Sequence, residues 1–173
     1  NMSSKFSSDD EVNLNSEVFY SRTGLDRERR VHTVPKYGSG SMLVDATYCI
    51  DIEEFVIADD LITTTPNLTL SVHPADCLPI IVTNIIDSSH TVDKPFVALV
   101  HAGWQGTAHN IVGGVLITLC DTFLKARGLF EHFCGGLKAY IGPGIGPCCY
   151  KPNFIQRRLG APADLVGKNI EQL

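Results

Sequence analysis

Between residues 41 and 102 the apolar positions fall in short, β-branched runs. "SMLVDATYCI" (Ser41–Ile50) and "LITTT" (Leu61–Thr65) predict strands joined by a loop. "LTLSVH" (Leu68–His73) alternates apolar and polar residues, as a half-buried strand does. "LPIIVTNII" (Leu78–Ile86) and "PFVALVHA" (Pro95–Ala102) are continuous apolar runs, which suit strands covered on both faces. The period then changes. After "GWQG", Ile111, Val112, Val115, Leu116, Leu119, Phe123 and Leu124 recur at helical spacing. Thr107 is placed to cap that helix and Gly128 to end it, while Gly113–Gly114 weakens its interior. "LKAYIGPGIGPCCY" (Leu137–Tyr150) reads as a strand running into a Gly/Pro loop, and a last helix starts near Asp164. Residues 1–16 are polar and read as a frayed beginning. Strands outnumber helices without alternating strictly with them, which predicts an α+β fold. No repeat or low-complexity linker divides the chain, so 1–173 is expected to be one domain.

Composition narrows the function classes. The chain has 173 residues and a net charge of −5, with no basic run longer than "RERR". That is no electrostatic footprint for nucleic acid. No run approaches the roughly 18 consecutive apolar residues of a membrane span. The beginning lacks the charged-then-apolar order of a secretion signal, so a cytosolic protein is expected. The six cysteines show no C-x-x-C pair and read as thiols rather than disulfides.

Candidate chemistry gathers at the borders of the apolar segments. Cys77 follows "PAD" and His101 follows "FVALV", both at the C-terminal ends of apolar segments beside Pro or Gly turns. Loops there expose side chains that a rigid sheet aims. Alone, Cys77 reads first as a buried structural thiol and His101 as a histidine that hydrogen-bonds a neighbour. Together they read as a hydrolase dyad or as two ligands of a metal. His32 in "RRVHTV" is a third candidate. His73 lies four residues before Cys77 and either reaches the same place or faces the other side of the sheet. Two imidazoles and a thiolate suit zinc, and three protein ligands leave one tetrahedral position open. Copper accepts the same donors. A multicopper centre needs many imidazoles, and this chain has six histidines and no His-x-His pair.

"HPADCLPIIV", "ALVHAGWQGTAHNIV" and "AYIGPGIGPCCY" resemble, in order, the three signature blocks of the polyphenol-oxidase or laccase-domain family. That family is also called YfiH-like and purine nucleoside phosphorylase-like. The resemblance covers most of residues 30–173. It implies a mixed-sheet α+β sandwich with flanking helices. It also implies a cytosolic zinc enzyme that phosphorolyses adenosine, inosine or methylthioadenosine, or deaminates adenosine. The implied metal ligands are His32, Cys77 and His101, with Cys77 and His101 also catalytic. Gln105 is expected to contact the purine, and Cys149 is expected to be the one of two adjacent cysteines that faces the site. Substrates would be a purine nucleoside and phosphate, with no nucleic-acid or membrane partner. The chain departs from the family where it reads "HAGWQG" rather than "HAGWRG" and "GPCCYK" rather than "GPCCYE". Gln105 lacks the charged fork that suits phosphate, which favours deamination over phosphorolysis. The family's N-terminal opening and C-terminal strands are not found in these 173 residues. A related toxin-like group uses the matching residues as a cysteine-hydrolase dyad, so that reading stands as an alternative. Two others are a copper polyphenol oxidase and an inactive member serving as an interaction module. Nothing in the sequence speaks to the oligomeric state.

Overall fold

The computed structural model describes residues 8–36, 38, 40–49, 56–84, 95–123 and 137–173. Helix α1 (Asp9–Thr23) comes first and was not legible in the polar start of the chain. Its entry is fixed by a capping box, in which Ser8 and Glu11 bond each other's backbone N–H, and by three acids in the first turn. None of its residues is buried, so local capping rather than an apolar stripe defines it.

The strands are β1 (Arg30–Val34), β2 (Ser41–Leu43), β3 (Val56–Ile57), β4 (Asp60–Thr63), β5 (Thr69–Ser71), β6 (Leu78–Thr83), β7 (Val97–Ala102) and β8 (Lys138–Ile141). They form two sheets. One has the order β3-β1-β5 with parallel pairings, and the other has the order β2-β4-β7-β6-β8. In the larger sheet β2 runs parallel to β4 and the remaining pairs are antiparallel. This is the expected mixed-sheet α+β architecture with helices outside. The strand expected over Ser41–Ile50 is shorter than its apolar run. It stops at Leu43, and Ala46–Cys49 turn into a 3-10 helix after Asp45 accepts from the Thr47 N–H at 2.9 Å. β1 and β3 were not expected at all, because two to five residues carry too little periodicity.

After β7 the chain forms α2 (Trp104–Ala108) and α3 (Ile111–Phe123) instead of one helix. Asn110, in the left-handed conformation at φ 59°, makes the break. Thr107 is therefore not an N-cap: it lies inside α2, 1% exposed, and Gly103 takes the cap position. The expected helix end at Leu124–Gly128 lies outside the described residues. Two short helices, α4 (Phe154–Arg158) and α5 (Leu165–Gln172), complete the order, with Asp164 capping α5 as expected.

The core forms on one face of the larger sheet. Ile62, Ile80, Val82, Ala98 and Val100 meet Ile111, Val112, Val115 and Leu119 of α3 and Leu165 of α5. Each large side chain in that set stabilises the fold by roughly 1.5–3 kcal/mol. Leu61 points the other way, onto Val31, Val44, Val56 and Ala58. β7 is thus covered on both faces, as its continuous apolar run suggests, whereas Ile81 leaves β6 partly open at 40% exposure.

A buried polar tie fixes α5 to α2. The Asn169 Nδ2 group donates to Thr107 Oγ1 at 2.9 Å and to the Leu165 carbonyl at 2.7 Å, with no solvent access. Asn169→Ala is expected to cost roughly 1–3 kcal/mol in urea unfolding, since it leaves Thr107 without its donor. An unchanged midpoint would show that the Asn169 tie adds nothing net beside the Gln172 Nε2 bond to the Thr107 carbonyl at 2.8 Å and the apolar contacts.

Candidate functional site

Antiparallel pairing of β6 with β7 sets the start of one strand beside the end of the other. Leu78 lies opposite Ala102, and Pro79 opposite His101. Cys77 directly precedes β6, as the apolar run from Leu78 led one to expect, and so lies at the N-terminal end of that strand rather than at the C-terminal end of an apolar segment. The antiparallel direction of β6 and β7 is what brings it to His101. Gly103, the next turn residue, lies between them. A β-carbon there would stand 3.0 Å from Cys77 Sγ and 3.5 Å from His101 Cε1, so sulfur and imidazole flank one point.

The surrounding loops are tied down by backbone bonds. The His101 N–H donates to the Asp59 carbonyl at 2.8 Å, and the Gly38 N–H donates to Asp59 Oδ2 at 2.9 Å. The Gly/Pro loop after β8 folds over the Cys77 turn. There the Ile145 N–H donates to the Asp76 carbonyl at 3.0 Å, and Gly144 packs where a β-carbon would lie 3.3 Å from the Cys77 carbonyl. These contacts leave a cleft of about 440 Å³, whose walls include His73, Cys77, His101, Trp104 and Gln105. Asp59 and Gln156 also line it. Both escaped the sequence reading. Asp59 had a signal in the paired acids of "ADDL", whereas Gln156 is brought in by α4 and had none.

The electrostatics favour neutral donors. Burial is the main reason the His101 imidazole is held below its usual range, against the opposing pull of Asp59 and Asp76. Burial, then the His73 ring and Arg30, lowers His32 to about 4. The Cys77 thiol is pushed up to about 11 by burial and by the Asp76 carboxylate, which accepts from Sγ at 3.7 Å.

His32, on β1, is not among the residues that line the cleft. Its Nδ1 lies 3.2 Å from Ser71 Oγ, and its ring centroid is 4.3 Å from that of His73. His73 lies just past β5 and reaches the cleft, one of the two orientations open to it in the sequence. The structure thus joins Cys77 with His101, and His32 with His73. Among the described residues no group of three His, Cys, Asp or Glu side chains stands close enough to hold one ion. The donor types nevertheless suit a thiophilic divalent metal: neutral imidazoles and a sulfur on a rigid sheet edge. Cys149 is exposed, and its sulfur lies 3.3 Å from that of Cys148, so these two cysteines turn toward each other rather than apart. Neither is among the cleft-lining residues. His109 is exposed at the end of α2, and His90 and His132 lie outside the described residues.

Comparison with known proteins places this geometry in context. The family model described as multi-copper polyphenol oxidoreductase laccase matches residues 1–157. A purine nucleoside phosphorylase of Clostridium acetobutylicum is 33% identical over 99 residues, covering 57% of this chain and 36% of that protein. One from Rickettsia prowazekii is 29% identical over 112 residues, covering 62% and 40%. The chain thus spans well under half the length of these relatives. Among solved structures, YlmD from Geobacillus stearothermophilus superposes with a TM-score of 0.65 at 28% identity, covering 86% of this chain and 52% of that one. The hypothetical protein YfiH of Bacillus licheniformis shares the fold, with a TM-score of 0.70 at 21% identity over 93% of this chain and 64% of that one.

Proposed function

The chain belongs to the multi-copper polyphenol oxidoreductase laccase family, and from that premise we propose that it is a zinc-dependent purine nucleoside enzyme. The observation that carries the reading is the meeting of Cys77 and His101 at Gly103, inside a cleft of nucleoside size. Support comes from relatives named purine nucleoside phosphorylase. Cys77 and His101 already flank one point, and His32, which does not line the cleft, is the third donor that would complete a metal site. When bound, zinc supplies a Lewis acid for the reacting group.

The chain's own residues do the rest. Gln105 presents an amide to the purine edge, and Trp104 walls the cleft beside it. Asp59, held by the Gly38 N–H, brings to the cleft a carboxylate whose charge acts on His101. Among the described residues that line the cleft there are two carboxylates and no lysine or arginine. A fixed cation for phosphate is thus lacking there, which favours deamination over phosphorolysis. Five free thiols among the described residues fit a reducing, cytosolic setting, and no helix there is long and apolar enough to cross a membrane. A cysteine-hydrolase dyad fits less well, because a reactive thiolate needs its pKa lowered and Cys77 is shifted upward.

The test is zinc content together with a nucleoside panel, run with and without phosphate. Inosine from adenosine without phosphate is the expected result. Free base formed only with phosphate would identify phosphorolysis instead. A metal-free protein that turns over no nucleoside but is alkylated at Cys77 would overturn the reading in favour of the dyad.

Gly103→Ala probes the centre from within. Its backbone is extended at φ −79°, so alanine is tolerated conformationally, but the new methyl crowds Cys77 Sγ at 3.0 Å. A folded protein with about tenfold weaker zinc affinity is expected, measured against a chromophoric chelator. Undiminished affinity would mean that the sulfur is not directed at the metal.

A further inference from the structure

We propose that the cavity between α1 and the end of β5 binds a phosphate group on the guanidinium groups of Arg27 and Arg30; the inference stands apart from the zinc reading above. The cavity holds about 430 Å³. One stripe of α1 forms a wall, in which Val12, Ser16, Phe19 and Tyr20 recur at helical spacing. Ser71 of β5 and His73 just past it also line the space. The fold divides the basic run "RERR". Arg27 and Arg30 line the cavity, whereas Arg29 donates to the Pro66 carbonyl at 3.4 Å.

The lining suits an anion with several oxygens. It holds two arginines and, among the described residues, no aspartate or glutamate. This concentration of positive charge stands out in a chain whose net charge is −5. Arg30 is half-buried, and its Nη1 donates to the Tyr20 hydroxyl at 3.3 Å, so α1 fixes a side chain that β1 supplies. Accepting that bond leaves the phenol proton to donate in turn. The remaining guanidinium N–H groups form a planar fork that matches phosphate oxygens. Ser16 and Ser71 add hydroxyls to the same lining. The Arg30 charge also lowers the proton affinity of both His32 and His73, so it is felt across this end of the sheet. An anion neutralises that charge, and a cation is repelled by it. A carboxylate presents two acceptor oxygens and a phosphate monoester three, so phosphate uses more of the donors gathered here.

The experiment titrates the full chain by calorimetry with orthophosphate and with adenosine 5′-monophosphate, at an ionic strength held constant with chloride. Wild type is compared with Arg30→Gln, Arg30→Lys, Arg27→Gln and Cys77→Ala. Wild type is expected to bind orthophosphate with a dissociation constant of about 1 mM or lower. Arg30→Gln should weaken binding at least about tenfold, and the exposed Arg27→Gln about two- to fivefold. Arg30→Lys keeps the charge without the fork and should fall between wild type and Arg30→Gln. In an NMR titration, phosphate should move the imidazole resonance that His73→Gln removes, which places the anion in this cavity. Tighter binding of the monophosphate than of orthophosphate identifies a phosphate ester as the occupant, and the reverse order identifies the free ion. Cys77→Ala should bind phosphate as wild type does even when it has lost its metal, so the zinc reading and this inference fail separately. If circular dichroism shows Arg30→Gln unfolded, the Arg27→Gln titration decides. Absence of saturable binding up to about 10 mM, or an affinity unchanged in the folded arginine variants, overturns the inference.

Discussion

Cys77→Ala is expected to lose bound zinc almost completely and to lower nucleoside turnover at least roughly a thousandfold, since Lewis-acid stabilisation of developing charge is worth several kcal/mol. The sulfur is the one soft donor in the cleft. It opens β6 opposite the end of β7, where only the antiparallel register brings it to His101. Metal binding must displace a thiol proton that burial and Asp76 hold tightly, so zinc uptake is accompanied by proton release. Removing a half-buried Sγ at a turn leaves the apolar core of the larger sheet untouched, and the variant should unfold at nearly the wild-type urea midpoint. Elemental analysis of the purified variant and a chromatographic nucleoside assay check both parts. Retained stoichiometric zinc would remove Cys77 from the ligand set. Loss of turnover in a pair of proteins that are both metal-free would assign Cys77 as a nucleophile instead.

Asp60→Asn is expected to stabilise the protein at neutral pH and to flatten its pH dependence. Asp60 opens β4 between Ser41 of β2 and Val100 of β7 and has no solvent access. Neither of its carboxylate oxygens has a well-formed hydrogen bond, and the Ser41 hydroxyl gives only partial compensation. Burial first, and the neighbouring Asp59 charge after it, raise the Asp60 pKa from 3.8 to about 6. The sign follows from proton counting. Between these two values the native state keeps a proton that the unfolded chain releases, so stability falls as pH rises through that window. Below it the site carries no ionisation penalty, and above it that penalty, roughly 3 kcal/mol, persists. Asparagine carries no charge to desolvate. Urea unfolding at pH 4, 5, 6, 7 and 8 should show the variant gaining on wild type from pH 4 to 6 and holding that gain above pH 6. Parallel stability profiles would mean that Asp60 is better solvated or better paired than its burial indicates.

Much of the larger sheet was legible from local pattern. The runs around β4, β6 and β7 have enough β-branched residues to be strands in almost any context. The helical spacing from Ile111 to Leu119 and the Asp164 cap were equally plain. Helix α1 was missed because its evidence lies in a capping box and not in an apolar stripe. β1 and β3 were missed because their stability is supplied by neighbours. Val31 and Val56 are buried against Leu61, a residue of the other sheet. The break between α2 and α3 depends on one left-handed residue, Asn110, and helical spacing passes through it unnoticed.

By itself the sequence determined the α+β class, the buried central strands, and the residue types available for chemistry, because periodicity and donor chemistry are local properties. Tertiary structure decided which donors meet. Cys77 reaches His101 because two strands run antiparallel, His73 and not His32 opens onto the cleft, and Cys149 turns away from it to Cys148. Strand order, direction and register bring residues far apart in the chain to one point, and they are set by how two sheets and a helix bury their apolar faces together rather than by any short stretch of residues.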